Sequence, residues 1–241
     1  MRQKLQLFLL LLALGGGTAW WLLQPSPEGN ALQVRKLATR GLARHLGQHQ
    51  PGAQVIVFSN PFTQQPGASP EIRQTEEAGV QGLKEGFGES VTLAVAFPVL
   101  PPEAISNPRA LLGDAQTSNP LSYLLPGASF DAEIRKHPEA RLCVSLIGLP
   151  RELEQFEAWN RATPPGFALL WPDFSGIGDA AAIRLAFASG KLVACVLRRP
   201  GGPGDESRLD QPEAAEFRRR FILLTRENLE ETLKTNPELF L

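Results

Sequence analysis

The chain has 241 residues, enough for one ordinary α/β domain with an N-terminal segment to spare. Its composition, 43% hydrophobic and 20% charged with a formal net charge of -1, is globular and lacks the clustered positive surplus that a nucleic-acid partner demands. The 22 glycines and 21 prolines imply many loops without a collagen-like period.

Arg2 and Lys4 precede an apolar run over residues 7–23, interrupted only by Gly15, Gly16, Gly17 and Thr18. A basic start followed by a hydrophobic stretch marks a signal sequence. As a helix this run is about 25 Å long, near the short limit for crossing a bilayer. Gly17 and Ala19 suit a small-x-small cleavage site, but cleavage there leaves Trp20, Trp21, Leu22 and Leu23 on the new terminus. Residues 1–24 are therefore read as an uncleaved signal anchor or transmembrane helix, with the tryptophan pair at the far interface. No cysteine follows the run, which excludes a lipoprotein anchor. Arg2 and Lys4 favour a cytoplasmic N-terminus, giving a single-pass protein of the inner or plasma membrane with its domain outside the cytoplasm. Arg35, Lys36, Arg40 and Arg44 argue the other way, so a tethered cytoplasmic domain is the alternative.

Residues 25–30 read as a Pro/Gly linker and 31–241 as a single α/β domain. Leu32, Leu37, Ala38, Leu42 and Leu46 share one face of a helix over 31–49, which packs its stripe on a neighbouring sheet. "VIVFS" (55–59) is a strand closed by the Asn60-Pro61 turn. Ser69 and Pro70 suit an N-cap and first helical position for a helix to about Gly86. A second strand spans 89–98, followed by a long irregular proline-rich region to about 127. A short helix (128–137), a strand (140–150), a helix (151–162), a strand (166–173) and a helix (178–191) follow. A fifth strand (192–200), a Gly/Pro/Asp loop, a sixth strand (220–225) and a last helix complete the chain. The strands are continuous apolar runs, as burial on both faces requires. The expectation is an α/β, doubly wound, Rossmann-like open sheet of about five or six mainly parallel strands, set after the N-terminal anchor helix.

Ligands of such sheets sit beyond the carboxyl ends of the strands. That rule makes Ser59, Asn60, Phe62, the loop 99–127, Arg151, Asp173 and Arg198 candidates. His45 and His49 stand four apart on the first helix, but no third metal ligand accompanies them. No histidine falls at the carboxyl edge to serve a Ser-His-Asp site, and there is no G-x-S-x-G elbow or P-loop. Asp173 is the one acidic residue placed at a strand end, so a carboxylate pair is not made. Gly176, Gly178 and Ala181 form G-x-G-x-x-A between a strand and a helix, with Arg198 and Arg199 ending the next strand. This is the alternative, nucleotide-binding or enzymatic reading, although the motif opens the fourth unit rather than the first. No metal or other cofactor is expected. Cys143 and Cys195 lie mid-strand, separated by another strand, and read as buried core thiols rather than a disulfide.

The first unit, with "SNPF" ending a hydrophobic strand and "EEAGVQGLKEGFG" (76–88) on the following helix, resembles the start of a type I periplasmic sugar-binding protein. "AIRLAFASGKLVACVLRRP" (182–200) is similar to a helix-Gly-Lys-strand pattern found later in that family. The resemblance covers about a third of the chain. It implies that Phe62 lies against a ligand and that Asn60 matches the asparagine of the turn. That family clamps its ligand between two lobes, whereas the sixth strand arrives here too soon for a full second lobe. The expected function is a membrane-anchored, non-catalytic domain that binds a small polar ligand or an envelope protein through Asn60, Phe62, Asp173 and Arg198. A scaffold displaying the loop 99–127 is a further alternative.

Overall fold

The structure is a computed structural model that describes residues 26–112, 117 and 119–240. The apolar run 7–23 lies outside the described residues. Among the described residues no helix is long and apolar enough to cross a membrane.

Helix α1 (Pro27–His49) is capped by Ser26, whose hydroxyl accepts from the Gly29 amide, with proline at its first turn. It therefore begins inside the stretch read as a linker. Strand β1 (Gln54–Phe58) leads through a 3-10 turn, Pro61–Gln64, to helix α2 (Pro70–Phe87), capped by Ser69 as expected. Strand β2 (Thr92–Ala96) follows. The proline-rich region is not structureless. It folds as three one-turn helices, α3 (Pro102–Ser106), α4 (Pro108–Leu112) and α5 (Leu121–Leu124), each with a proline at its start, where a missing N–H costs nothing.

Helix α6 (Gly127–Arg135) and strand β3 (Leu142–Ser145) come next. The helix expected over 151–162 is broken into a 3-10 turn, Leu153–Gln155, and one turn of helix, α7 (Glu157–Asn160). Phe156 between them is extended (φ -90°, ψ 98°) and fully buried, packing at ring-centroid distances of 5.8 Å on Phe130 and 5.4 Å on Phe167. Core packing of that ring overrides local helix propensity, and Asp131 caps the restart by accepting from the Glu157 and Ala158 amides. Strand β4 (Gly166–Leu170), helix α8 (Ala180–Ala188) and strand β5 (Leu192–Arg198) complete the parallel part. Helix α9 (Glu213–Arg220) runs straight into strand β6 (Phe221–Leu224), and helix α10 (Leu229–Thr235) ends the fold.

The six strands form one sheet in the order β2-β1-β3-β4-β5-β6, parallel except for β6. Phe221 of β6 pairs with Arg198 at the carboxyl end of β5, so the chain returns to the edge it left and β6 runs antiparallel. Alternation along β1 sends Val55 and Val57 to an apolar layer with α1 and α2, and Ile56 and Phe58 to a second layer with Phe130, Phe156 and Phe187. Helices thus cover both faces, which is the expected doubly wound arrangement. Cys143 on β3 and Cys195 on β5 are buried and free, with β4 between them. Desolvation holds the Cys143 thiol up at about 12 and raises that of Cys195 as well.

Two helices lie close together because α2 presents glycines to α1. A Cβ on Gly82 would stand 2.4 Å from the Lys36 carbonyl oxygen, and one on Gly86 2.5 Å from that of Arg40.

Candidate functional site

The strand order reverses between β1 and β3, and in open sheets of this order a ligand sits at the carboxyl side of that switch point. Here the chain covers one half of that place itself. Gly148, just past β3 with φ +77°, has no room for a Cβ, which would meet Asn119 Nδ2 at 2.5 Å. Ser122 accepts from the Arg151 amide at 3.0 Å, and the Arg151 guanidinium lies 4.6 Å from the Tyr123 ring centroid. Asp173 accepts from the Thr117 hydroxyl at 2.5 Å and the Ser175 amide at 2.9 Å. Burial alone would raise the Asp173 pKa; those hydrogen bonds and the charge of Arg151 outweigh it, and the net shift is downward. About 10 Å³ of cavity remains among Tyr123, Arg151, Asp173 and Gly176. That volume admits no ligand larger than water.

The other half of the edge, on the side of α1 and α2, is open. Arg35 of α1 reaches Glu76 of α2 at 2.5 Å, and both residues are 7% exposed. The second Glu76 oxygen accepts from the Ser59 hydroxyl at 2.7 Å and the Asn60 amide at 3.1 Å. Desolvation lowers the Arg35 pKa from its ordinary value, with Glu76 opposing. Asn60 spends its side chain on the turn, accepting from the Phe62 amide at 2.9 Å as cap of the 3-10 segment. Phe62 is partly buried against the apolar layer on the far face of the sheet. "SNPF" is thus a turn that ends β1 and presents Thr63 and Gln64.

Trp171, just past β4, has φ +49°, the one positive φ outside glycine among the described residues. Its ring takes the Arg198 guanidinium at 3.9 Å and that of Arg35 at 5.4 Å. Arg198 is also paired with Asp205. Arg35 Nε and Trp171 Nε1 are buried without hydrogen-bond partners. A left-handed tryptophan costs about 1–3 kcal/mol, held by its surroundings.

Two cavities flank this cluster and share Leu32 and Gln74. The larger, about 970 Å³, runs along α2 from the β1 turn and is lined by Gln33, Ser59, Thr63, Gln64, Gln74 and Gln81, with Leu32, Val80, Val95 and Phe97 as its apolar part. The smaller, about 310 Å³, lies between the first turns of α1 and α2 and the Trp171 ring.

The four site residues read from sequence are therefore not brought to one point. Asn60 and Phe62 shape the turn at the mouth of the larger cleft, Arg198 backs the Trp171 ring, and Asp173 is tied down on the covered half. Gly176 ends a 3-10 turn (Phe174–Gly176), and Gly178 (φ +115°) precedes Asp179, which caps α8 by accepting from the Ala182 amide at 2.9 Å. A carboxylate already occupies the place a phosphate needs at that helix start. Arg199 is engaged by the carbonyls of Arg218 and Phe221. His49 Nδ1 lies 2.7 Å from the His45 carbonyl oxygen, and among the described residues no group of three His, Cys, Asp or Glu is placed to hold a metal.

Arg35, Glu76, Trp171 and Gln74 went unread in the sequence. The signal for the first two is a charged residue on each helix's core-facing stripe, Arg35 in register with Ala38 and Leu42, Glu76 with Gly79 and Leu83.

No family model matches the chain, and no curated protein matches it. Solved structures similar to it include a carbohydrate transporter from Acidothermus cellulolyticus in complex with myo-inositol, at 12% identity and TM-score 0.46, covering 86% of this chain and 62% of that one. A carbohydrate transporter solute-binding protein from Agrobacterium radiobacter in complex with D-arabinose gives 13% identity and TM-score 0.44, covering 87% and 62%. The substrate-binding protein of a sugar transport system from Bordetella parapertussis gives 15% identity and TM-score 0.41, covering 68% and 41%. The chain spans less than two thirds of the length of each of these proteins.

Proposed function

We propose that this is a non-catalytic binding domain that takes a small, neutral, polyhydroxylated compound in the cleft between α2 and the β1 turn. One observation carries the reading: four glutamine side chains, Gln33, Gln64, Gln74 and Gln81, line a single 970 Å³ cleft beside Ser59 and Thr63. Amides and hydroxyls both donate and accept, which suits hydroxyl groups of a ligand without net charge. Leu32, Val80, Val95 and Phe97 supply the apolar surface for its C–H faces. The charges in the cleft are mixed, with Lys36, Arg73 and Lys84 beside Glu76 and Glu77, so the site selects for neither sign. Asn60 and Phe62 act by fixing the turn that places Thr63 and Gln64.

The proposal includes a membrane anchor formed by residues 7–23, supported by the length and apolarity of that run and by Arg2 and Lys4 ahead of it. The same basic flank supports a domain held outside the cytoplasm. The test is thermal unfolding of the full chain in lipid nanodiscs against neutral monosaccharides and polyols. A ligand at 100 times its Kd adds about 2.7 kcal/mol, several degrees in Tm. A panel that leaves Tm unmoved at millimolar concentrations rejects the reading.

A further inference from the structure

We propose that the carboxyl edge of the sheet is the face this domain lays on a lipid bilayer, with Ile72, Val99, Ile105 and Leu111 entering the headgroup layer. The inference rests on the reading of residues 7–23 as a membrane anchor, and adds to it the orientation of the domain.

Among the described residues five large apolar side chains stand exposed: Ile72, Val99, Ile105, Leu111 and Leu185. Four of them gather at one end of the molecule. Ile72 is in the first turn of α2, the helix that follows β1 after the 3-10 turn; Val99 follows the carboxyl end of β2; Ile105 and Leu111 are on α3 and α4. These short helices continue into α5, where Ser122 bonds the Arg151 amide beyond β3. Val99 is 66% exposed and Ile105 47%, and it is their grouping with Ile72 and Leu111 that marks the edge, since Leu185, 68% exposed, stands alone on α8.

The start of α1 lies at this same end. Pro27 and Glu28 line one cavity with Trp171 beyond β4 and with Glu71 and Gln74 of the first turns of α2. Asn30 donates to the Glu206 carbonyl oxygen at 2.9 Å, fixing that turn to the loop after β5. Between the apolar run and Pro27 stand only Gln24, Pro25 and Ser26. Three residues reach at most about 11 Å even when fully extended. The headgroup region on each side of a bilayer's hydrocarbon core is about 5–8 Å deep. A run seated in the hydrocarbon therefore holds the start of α1, and with it the carboxyl edge, close to the surface.

Charge does not drive the contact. Arg73 and Arg109 stand exposed beside Ile72 and near Leu111, but Glu71 and Glu103 stand exposed on the same edge. Apolar side chains between mixed charges suit a zwitterionic headgroup layer, and the contact is insensitive to salt. The lining of the large cleft extends along α2 to Gln81 and Lys84, about 14–18 Å of helix away from Ile72.

The experiment uses the full chain with Val99→Cys or Ile105→Cys, each labelled with an environment-sensitive fluorophore and reconstituted in phosphatidylcholine vesicles with or without brominated acyl chains. The two natural thiols are buried, so the label goes to the introduced one. Gln48→Cys at the far end of α1, about 30 Å from Pro27 along the helix, is the control. The expected result is a blue shift and severalfold quenching by brominated lipid at positions 99 and 105, unchanged in high salt, with none at 48. Chain that floats with the vesicles while labels at 99 and 105 remain unquenched overturns the orientation and leaves the anchor standing. Labels unquenched by lipid yet shielded from aqueous iodide assign the patch to a protein partner or a second copy, which also overturns it. Chain that does not float with the vesicles overturns the anchor and this inference together.

Discussion

Arg35 of α1 and Glu76 of α2 meet at 2.5 Å where each is nine-tenths buried, and Glu76 also holds the Ser59 hydroxyl and Asn60 amide at the end of β1. One carboxylate therefore joins two helices and the strand turn that shapes the cleft. Glu76→Ala leaves an uncompensated guanidinium in a dry site, which typically costs about 3–5 kcal/mol. Glu76→Gln keeps an acceptor for Ser59 and is expected to lose less. Urea unfolding of the two variants reads the difference; equal and small losses would show that the pair holds nothing together.

The close approach of α1 and α2 depends on Gly82. Its absent Cβ would stand 2.1 Å from Thr39 Oγ1 and 2.4 Å from the Lys36 carbonyl oxygen. Backbone cannot yield as a flexible side chain does, so Gly82→Ala is expected to destabilise by about 1–3 kcal/mol. Gly204→Ala, where a Cβ meets nothing within 4 Å, is the control and should stay within about 0.5 kcal/mol of the parent. Equal midpoints for the two variants would refute the packing account.

Acid sensitivity is expected to come from Glu216 of α9, which is 1% exposed. Burial would raise its pKa, but Arg220, the Asp210 and Gln211 amides and Arg219 outweigh that and hold it at about 2, against an ordinary 4.5. A group depressed in the folded state contributes stability that is fully present above its unfolded pKa and lost as pH falls through the folded one. The window is therefore pH 4.5 down to about 2. Glu216→Gln should flatten the stability profile across that window. A variant with the same acid slope as the parent would place the sensitivity elsewhere.

The layers were legible because continuous apolar strands such as Val55–Phe58 and Leu192–Leu197 admit only burial on both faces, and because Ser69-Pro70 announces a helix start. The break at Phe156 was not, since "RELEQFEAWN" has helical propensity throughout and only the aromatic cluster of Phe130 and Phe167 decides where that ring goes. The turn at Asn60 was read correctly as the end of β1. Its ligand role was read from resemblance, and the structure instead commits the Asn60 side-chain oxygen to the Phe62 amide and the Phe62 ring to the core. Arg35 meets Glu76 across 41 residues of sequence, and Trp171 meets Arg198 across a strand pairing. Such long-range pairs leave only the faint mark of a charge on an apolar stripe. The cover that Asn119 and Thr117 lay over Gly148 and Asp173 leaves no mark at all, because the loop's path is set by tertiary packing.

The central claim is a neutral polar ligand in the glutamine-lined cleft. The most direct test is calorimetric titration, into the full chain in nanodiscs, of the sugar or polyol that raises Tm most, with Gln74→Ala and Gln64→Ala in parallel. Both residues are exposed, so their loss leaves the fold intact. The account predicts saturable binding at one site, weakened roughly tenfold by each substitution as a hydrogen bond to the ligand is lost. Absence of saturable heat from every compound, or an affinity indifferent to both substitutions, would contradict it.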